Sequence, residues 1–499
     1  MHINRIYIYP LILVTIATIS YYVVNMTVIQ VASLTIFSSF ILGTLLFWRY
    51  RLAFALVGIA ILMTFDLLTT DTLIEFAGLD IILFLISMMI VIGYLEERHF
   101  FEHLLEKILA RIGNNPNKLI ILLMLMSGTF AALVDEVTSI LFMVATILHL
   151  TAKLRINPIP FIIMIVFATN IGSSATLVGN PVGVLIALRA DLTFAEFLRW
   201  ATPISIAGLV LAIILSLKYF SKDIQKLGKA MSIQQETQTE MNHTASTSTN
   251  NTDNIRNTKD DREKNPILSD ISVAKTSKSE TVHRDYKIPW ILFIGTIVGL
   301  VAHSPIETAL GLEKNVMLLA VAFAAAGITL FMHGNKAREL VERRVDWWTL
   351  GFFIFLFASV GTLQLTGVTT LVSNGVFEFS GGDETNLFFL FSIIAGVAGA
   401  LMDNVLGVAT FIPIVTGMTD FGINPYPLWW GLLFAATFFG NLTLIGSTAN
   451  IVALGMLERQ KRGHITLMQW IKPGAIIAIP TLALALILLY IQIPLMPGN

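Results

Sequence analysis

Apolar runs alternate with short polar breaks along nearly the whole chain, at about 6–24, 30–48, 52–69, 76–96, 118–133, 137–151, 159–189, 203–219, 289–303, 315–332, 348–378, 386–402, 405–418, 428–457 and 473–492. A helix that crosses a bilayer needs roughly 20 apolar residues. The informative runs are the short pairs 118–133/137–151 and 386–402/405–418, which flank the acidic tips Asp135-Glu136 and Asp403-Asn404. Arms of about 15 residues reach only ~22 Å against a hydrocarbon core of ~30 Å. Both pairs therefore predict re-entrant helical hairpins that stop near mid-membrane. Two longer runs, 159–189 and 428–457, carry Asn/Gly/Ser/Thr-rich breaks, and non-helical backbone at such depth is tolerated only inside protein or beside a water-filled cavity.

The hairpin and the break occur twice at a near-constant spacing. Asp135 to Asp403 is 268 residues, Asn170 to Asn441 is 271, and both Trp200 to Trp470 and Pro203 to Pro473 are 270. The chain is thus a duplicated unit, divided into N-terminal transmembrane helices (1–50), a first repeat (51–220), a linker (221–287) and a second repeat (288–499). Basic residues set its orientation. With a cytoplasmic N-terminus, the inner face receives Arg49, Arg51, Arg98, Arg343, Arg344, Arg459 and most of the others, and the outer face only Arg189, Arg199 and Lys314. This predicts about eleven transmembrane helices, an outer C-terminus and hairpins entering from opposite sides. Five crossings separate the hairpins, and an odd number makes the repeats inverted, as expected of a secondary transporter with a midplane site.

Composition agrees with an all-α polytopic membrane protein. Hydrophobic residues make up 55% of the 499, charged residues only 13%, and mean hydropathy is +0.76, which excludes a soluble globular chain. No cysteine is present, so disulfides and thiolate chemistry are excluded. No cleavable signal is evident, and the expected location is a cell membrane. The stretch "QQETQTEMNHTASTSTNNTDN" within 221–287 predicts a disordered cytoplasmic linker. The segments 193–200 and 464–472, each with a Trp and a basic residue, read as interfacial helices on opposite faces. No P-loop or metal-hydrolase motif is found, so neither an enzyme, a cofactor nor a nucleic-acid partner is expected; the partners are the bilayer and small inorganic ions.

The chemistry rests on what the tips and breaks bring to the centre. The first repeat offers Asp135, Glu136, Thr138, Asn170, Ser173, Ser174, Thr176 and Asn180; the second offers Asp403, Asn404, Asn441, Thr443, Ser447, Thr448 and Asn450. These are hard oxygen ligands with negative charge, suited to a small alkali cation or a proton. Beyond Lys118 at the mouth of the first hairpin, no Lys or Arg lies in either hairpin or break. Asp135 and Asp403 also have a plain structural reading as N-caps of the outgoing arms, and the breaks have one as small-residue helix packing.

At these residues the chain resembles a known family. "TNIGSSATLVGNP", "GNLTLIGSTANIVALGMLERQKRGHITLMQW", "SMMIVIGYLEERHFFEHL" and "ALVDEVTSILFM" are similar to the arsenite permease/NhaD-type antiporter group of the ion transporter superfamily, in its pink-eyed-dilution form. The resemblance covers most of 50–492 outside the linker. It implies a homodimeric carrier with a scaffold and a moving transport domain. It also implies ion binding at Asp135, Glu136, Asn170, Asp403 and Asn441, with Asp135, Asn170, Asp403 and Asn441 as sodium ligands. Two departures stand out: Gly179-Asn180-Pro181 replaces a G-D-P turn, and no proline follows Asp403-Asn404-Val405. The expected function is sodium (or lithium)–proton antiport; the alternative is an arsenite, silicate or other anion carrier.

Overall fold

The computed structural model describes residues 2–109, 115–247 and 286–498. Among them every regular element is helical. In chain order they are α1 (His2–Tyr22), α2 (Val28–Leu46), α3 (Arg51–Thr64), α4 (Thr70–Phe76), α5 (Leu79–Glu97), α6 (Phe100–Leu109), α7 (Pro116–Leu133), α8 (Glu136–Lys153), α9 (Ile159–Ser173), α10 (Pro181–Arg189) and α11 (Phe194–Tyr219). After α12 (Ser221–Thr247) come α13 (Lys287–Leu310), α14 (Val316–His333), α15 (Ala337–Arg344), α16 (Trp347–Leu365), α17 (Val368–Phe379) and α18 (Glu384–Leu401). The chain then runs through α19 (Asn404–Gly417), α20 (Tyr426–Phe439), α21 (Thr448–Arg459) and α22 (Leu467–Gln492). The series α2 to α11 recurs as α13 to α22, element for element.

Pairing at the ends shows that the copies are inverted. One face gathers Glu97 with His333 (3.3 Å) and Arg344 with Glu96 (2.9 Å), and on it Gly228 packs on Pro116 and Gly463 on Ile159. The other gathers Arg189 with Asp80 (3.4 Å), Asn315 with Asp191 (3.4 Å), Tyr426 with Glu196 (2.8 Å) and Asn424 with the Pro497 carbonyl (2.9 Å). The first face, richer in Arg, is called the basic face below. The hairpin α7/α8 opens on it, and α18/α19 opens on the opposite one.

The hairpin arms are longer than the apolar runs alone suggest: α7 and α8 have 18 residues each. The extra turns are polar-ended, with Asn115 capping α7 and Lys153 closing α8. The tips still stop at the depth of the breaks, because the Thr176 hydroxyl donates to the Ala132 carbonyl and that of Thr443 to the Ala400 carbonyl. Close backbone approach fixes α7 against α9. A Cβ on Gly172 would lie 2.3 Å from the Gly128 backbone, so only glycine fits.

Three expectations are corrected. Segments 193–200 and 464–472 are not separate interfacial helices: 194–201 continues through a π-helical turn (Phe197–Ala201) into α11, and most of 464–472 is the start of α22. Trp200 and Trp470 are accordingly buried, because their rings fill the core rather than the headgroup zone. The run 348–378 is not one span but α16 and α17, parted at Gly367, whose φ of +76° the glycine allows. The segment 221–287 is not disordered from its start. Helix α12 covers Ser221–Thr247 and buries Ile224, Leu227 and Met231, an i, i+3, i+7 stripe that packs beside Pro116 of α7. The remainder of that stretch, 248–285, lies outside the described residues.

Candidate functional site at the repeat interface

The duplication closes on itself at the centre, where residues separated by the repeat offset touch. Asn170 donates through Nδ2 to Asn441 Oδ1 at 2.7 Å, a pair 271 residues apart. Asn404 donates to Glu136 Oε1 at 3.5 Å, a pair 268 residues apart. Glu136 and Asn404 each follow the tip aspartate, so they are equivalent positions. One copy supplies a carboxylate and the other an amide on the pseudo-twofold axis.

Each break is held open by its own side chains. In the first, Asn180 caps α10 by accepting from Gly183 N (2.7 Å) and donates to Ser173 Oγ (2.6 Å); Ser173 in turn faces Glu136 Oε2 (3.5 Å) and the Asn170 carbonyl (3.0 Å). Pro181 at the first turn of α10 needs no N–H partner there. In the second, Asn450 donates to the carbonyls of Gly440 and Thr443, both at 2.8 Å, and accepts from Asn170 at 2.8 Å. Ser447 caps α21 and donates to Asn170 Oδ1 at 3.1 Å. Asn170, Asn441, Ser447 and Asn450 thus form one buried amide–hydroxyl network. The oxygens of Asn170 and Asn441 are engaged within it.

The tip aspartates act as caps. Asp135 Oδ2 accepts from the amides of Val137 (3.1 Å) and Thr138 (3.2 Å), and Asp403 accepts from Val405 N (3.0 Å) and from Thr448 Oγ1 (2.5 Å). They differ in access. Asp403 is 3% exposed, whereas Asp135 is half-buried and lines a cavity of about 60 Å³ with Thr138, Asn180, Met89, Glu96 and Arg344. Because Glu96 and Arg344 belong to the basic face, this cavity links that face to the first tip. From the opposite face, a cavity of about 320 Å³ between Glu75, Val360, Ala409 and Pro413 ends along α19 without reaching Asp403 or Asn404 among its walls.

Glu136 is 1% exposed and, among the described residues, its carboxylate receives hydrogen bonds only from Asn404 and Ser173, both long at 3.5 Å. Asp135 precedes it in the chain, and Asn404, which donates to it, follows Asp403. A carboxylate in such a place needs a proton or a cation to balance it.

Not every predicted residue faces this centre. Ser174 donates to the Ile171 carbonyl (2.8 Å) and pairs with Ser205 of α11 (2.7 Å), away from the carboxylates. Thr176 and Thr443 join breaks to tips. Two contributors escape the sequence reading. Trp470, fully buried, donates through Nε1 to the Asn441 carbonyl (3.0 Å). Arg51 is 5% exposed rather than at the surface, its guanidinium 4.3 Å from the Trp48 ring centroid and 5.2 Å from that of Phe352. The repeat spacing could have flagged Trp470, whereas nothing in "WRYRLAF" separates Arg51 from Arg49.

The chain matches the family described as citrate transporter (CitMHS) over residues 39–377 and 310–497. It is 30% identical over 448 residues to the uncharacterized transporter Rv2684 of Mycobacterium tuberculosis, covering 88% of this chain and 92% of that one. It is 25% identical over 443 residues to the silicon efflux transporter LSI3 of Oryza sativa subsp. japonica, covering 84% and 88%. The P protein of Homo sapiens is 23% identical over 468 residues, with 80% of this chain and 52% of that one covered. Among solved structures, the Alcanivorax borkumensis YdaH transporter superposes with a TM-score of 0.56 at 14% identity, covering 88% and 89%. With duplicated, inverted hairpins and broken helices and a family match along most of its length, the chain belongs to the citrate transporter (CitMHS) family and is a secondary transporter.

Proposed function

We propose that the protein exchanges protons for a small alkali cation, sodium or lithium, with Glu136 and the tip aspartates as the exchanging carboxylates. The observation that carries this reading is Glu136, buried on the pseudo-twofold axis with only neutral hydrogen-bond donors among the described residues. Burial disfavours an uncompensated charge, so a proton and a cation compete for the same carboxylate and loading one releases the other. In this reading Asp135, entered through the small cavity, takes the ion from the basic face, and Asn170, Asp403 and Asn441 complete its oxygen shell as the hairpins move.

The same reading places the basic face in the cytoplasm, by the bias of Lys and Arg, and the C-terminus outside a cell membrane. It takes α2–α11 and α13–α22 as the two repeats, so that the first begins at Val28 rather than at the expected residue 51, joined by the linker that begins with α12, in a homodimer.

A second reading, an anion carrier in which the carboxylates bind only a coupling ion, is favoured by the family's description and by the silicon efflux relative. The two separate in proteoliposomes that carry a pH-sensitive dye. Sodium or lithium added alone should drive proton movement, with potassium inert. Flux that appears only with citrate, arsenite or silicate would overturn antiport in favour of the second reading.

A further inference from the structure

The cavity that leads to Asp135 takes a single wall residue from the second repeat. Its other walls come from α5, from the first tip and from the break before α10; Arg344, the last residue of α15, completes them. Among the described residues only three walls are charged: Asp135 at the inner end, and Glu96 and Arg344 at the basic face. Arg344 lies in a place shaped for it. Its stem rests on Gly93, where an added Cβ would come within 2.6 Å of Arg344 Cβ and 2.7 Å of its Cγ, so a glycine is what lets the stem lie against α5. From there the guanidinium reaches the last turn of the same helix. Nη1 meets Glu96 Oε2 at 2.9 Å, and Nε donates to Glu97 Oε1 at 3.3 Å. Glu97 is held in turn by His333 of α14, whose Nε2 is 3.3 Å from Oε2 and whose ring stands edge-on to Tyr94. Glu97 and His333 do not line the cavity, whereas Glu96 and Arg344 do.

The Arg344–Glu96 pair is thus part of the mouth through which Asp135 is reached. At about 60 Å³ the space behind it holds no more than a few waters, so an ion moving inward passes against these side chains. A guanidinium in the wall opposes an incoming cation. Without it the same mouth presents two carboxylates, those of Glu96 and Glu97, which attract cations and repel anions. We propose that Arg344 is the gate residue on the basic-face route to Asp135: paired with Glu96 and Glu97 it shuts the mouth to cations, and its withdrawal leaves a mouth that admits cations and turns anions away. Arg344 is then a specificity-determining residue that acts on access and not on the exchange itself, and the assignment rests on the cation-exchange reading above.

Two measurements test it, and the first needs no transport. Met89→Cys places a thiol in the cavity wall two helical turns, ~10 Å, from Glu96. It is treated from the basic face, at low ionic strength, with methanethiosulfonates that carry either a trimethylammonium or a sulfonate group. Adding Arg344→Gln should raise the rate of the cationic reagent about tenfold, the effect of one unit charge at this range, without raising that of the anionic one. Arg344→Lys keeps the charge and should stay near wild type. Unchanged rates in Arg344→Gln would leave the pair a surface clasp, and equal acceleration of both reagents would show loosened packing; either result overturns the gate. If Arg344→Gln does not fold, Arg344→Met, which keeps an unbranched stem for Gly93, supplies the same comparison. The second measurement is flux in proteoliposomes of one orientation. Arg344→Gln should lower the apparent KM for sodium presented at the basic face several-fold and leave that at the opposite face unchanged. A raised KM for citrate, arsenite or silicate in Arg344→Gln would make Arg344 a group that recruits anions and would overturn the gate. The expected reagent preference in a protein with no sodium-driven flux would sustain the gate and remove only the antiport reading.

Discussion

At the scale of single residues, the centre divides into side chains that hold backbone and side chains that hold charge. Asn180, Ser447 and Asn450 belong to the first group, Glu136 to the second, and Asp135 and Asp403 to both. An amide can still accept the N–H bonds of a cap but cannot exchange a proton. Asp135→Asn should therefore fold and melt like wild type, within about 1 kcal/mol, while cation-driven proton movement falls by about a hundredfold or more. Glu136→Gln should behave alike, since the glutamine oxygen accepts from Asn404 while its amide N–H donates to Ser173 Oγ, whose own hydrogen goes to the Asn170 carbonyl. Full exchange in either variant would reduce that carboxylate to a structural part. Much of this inventory was legible in the sequence, because costly polar residues recur at a fixed offset in apolar surroundings. The pairing of Asn170 with Asn441 and of Glu136 with Asn404 was not, since an offset says which residues are equivalent but not which meet on the axis. Arg51 was not legible either: its burial depends on α16 folding over it from almost 300 residues away, as the separation of 298 from Thr349 records.

At the scale of elements, the hairpins and broken helices are locked by backbone contact more than by side-chain packing. Gly172 meets the Gly128 backbone, and a Cβ on Gly179 would lie 2.1 Å from the Ser173 carbonyl. Neither neighbour has a flexible side chain that could give way. Gly172→Ala should part α7 from α9 and destabilise the protein by about 1–3 kcal/mol or more, read as a lower melting temperature in detergent. Gly327→Ala on α14, where the added methyl meets nothing within 4 Å, is the matched control and should stay within about 0.5 kcal/mol of wild type. Equal melting of the two variants would mean that α7 and α9 are free to separate. Element boundaries were read less well than element existence. Helix α12 was hidden because its three buried apolar residues sit in a strongly polar window, where composition outweighs an i, i+3, i+7 stripe. The stretches before α11 and α22 were misplaced because a Trp beside a basic residue signals the headgroup zone only when the ring faces lipid; here Trp470 points inward to the Asn441 carbonyl.

At the scale of the whole molecule, inversion makes the two faces chemically different while the centre stays nearly symmetric. The basic face carries the Glu96–Arg344 and Glu97–His333 pairs beside the cavity that reaches Asp135. The opposite face carries Arg189 and Asp80 near a wider cavity that stops along α19. A carrier must expose its carboxylates to one face at a time, since a continuous path would dissipate the gradient it uses. The absence of native cysteine allows both faces to be mapped with single introduced thiols. Cysteines at the exposed positions Arg338 and Gln460 should react with an impermeant maleimide from the cytoplasm alone, and those at Lys314 and Asp420 from outside alone. Labelling of Tyr50→Cys, between α2 and α3, and Lys314→Cys, between α13 and α14, from one face would break the inverted arrangement, because these exposed loops are equivalent in the two repeats. Met89→Cys, in the wall of the small cavity, adds the mechanistic test: it should react from the cytoplasmic face, and saturating sodium should slow it several-fold by filling the space beside Asp135. Val360→Cys, in the opposite cavity, should react only from outside and should respond to sodium in the reverse sense if occupation of Asp135 turns the site towards that face. Rates at both positions that ignore sodium would mean that the ion does not bind between them, and the exchange centre would have to be sought elsewhere.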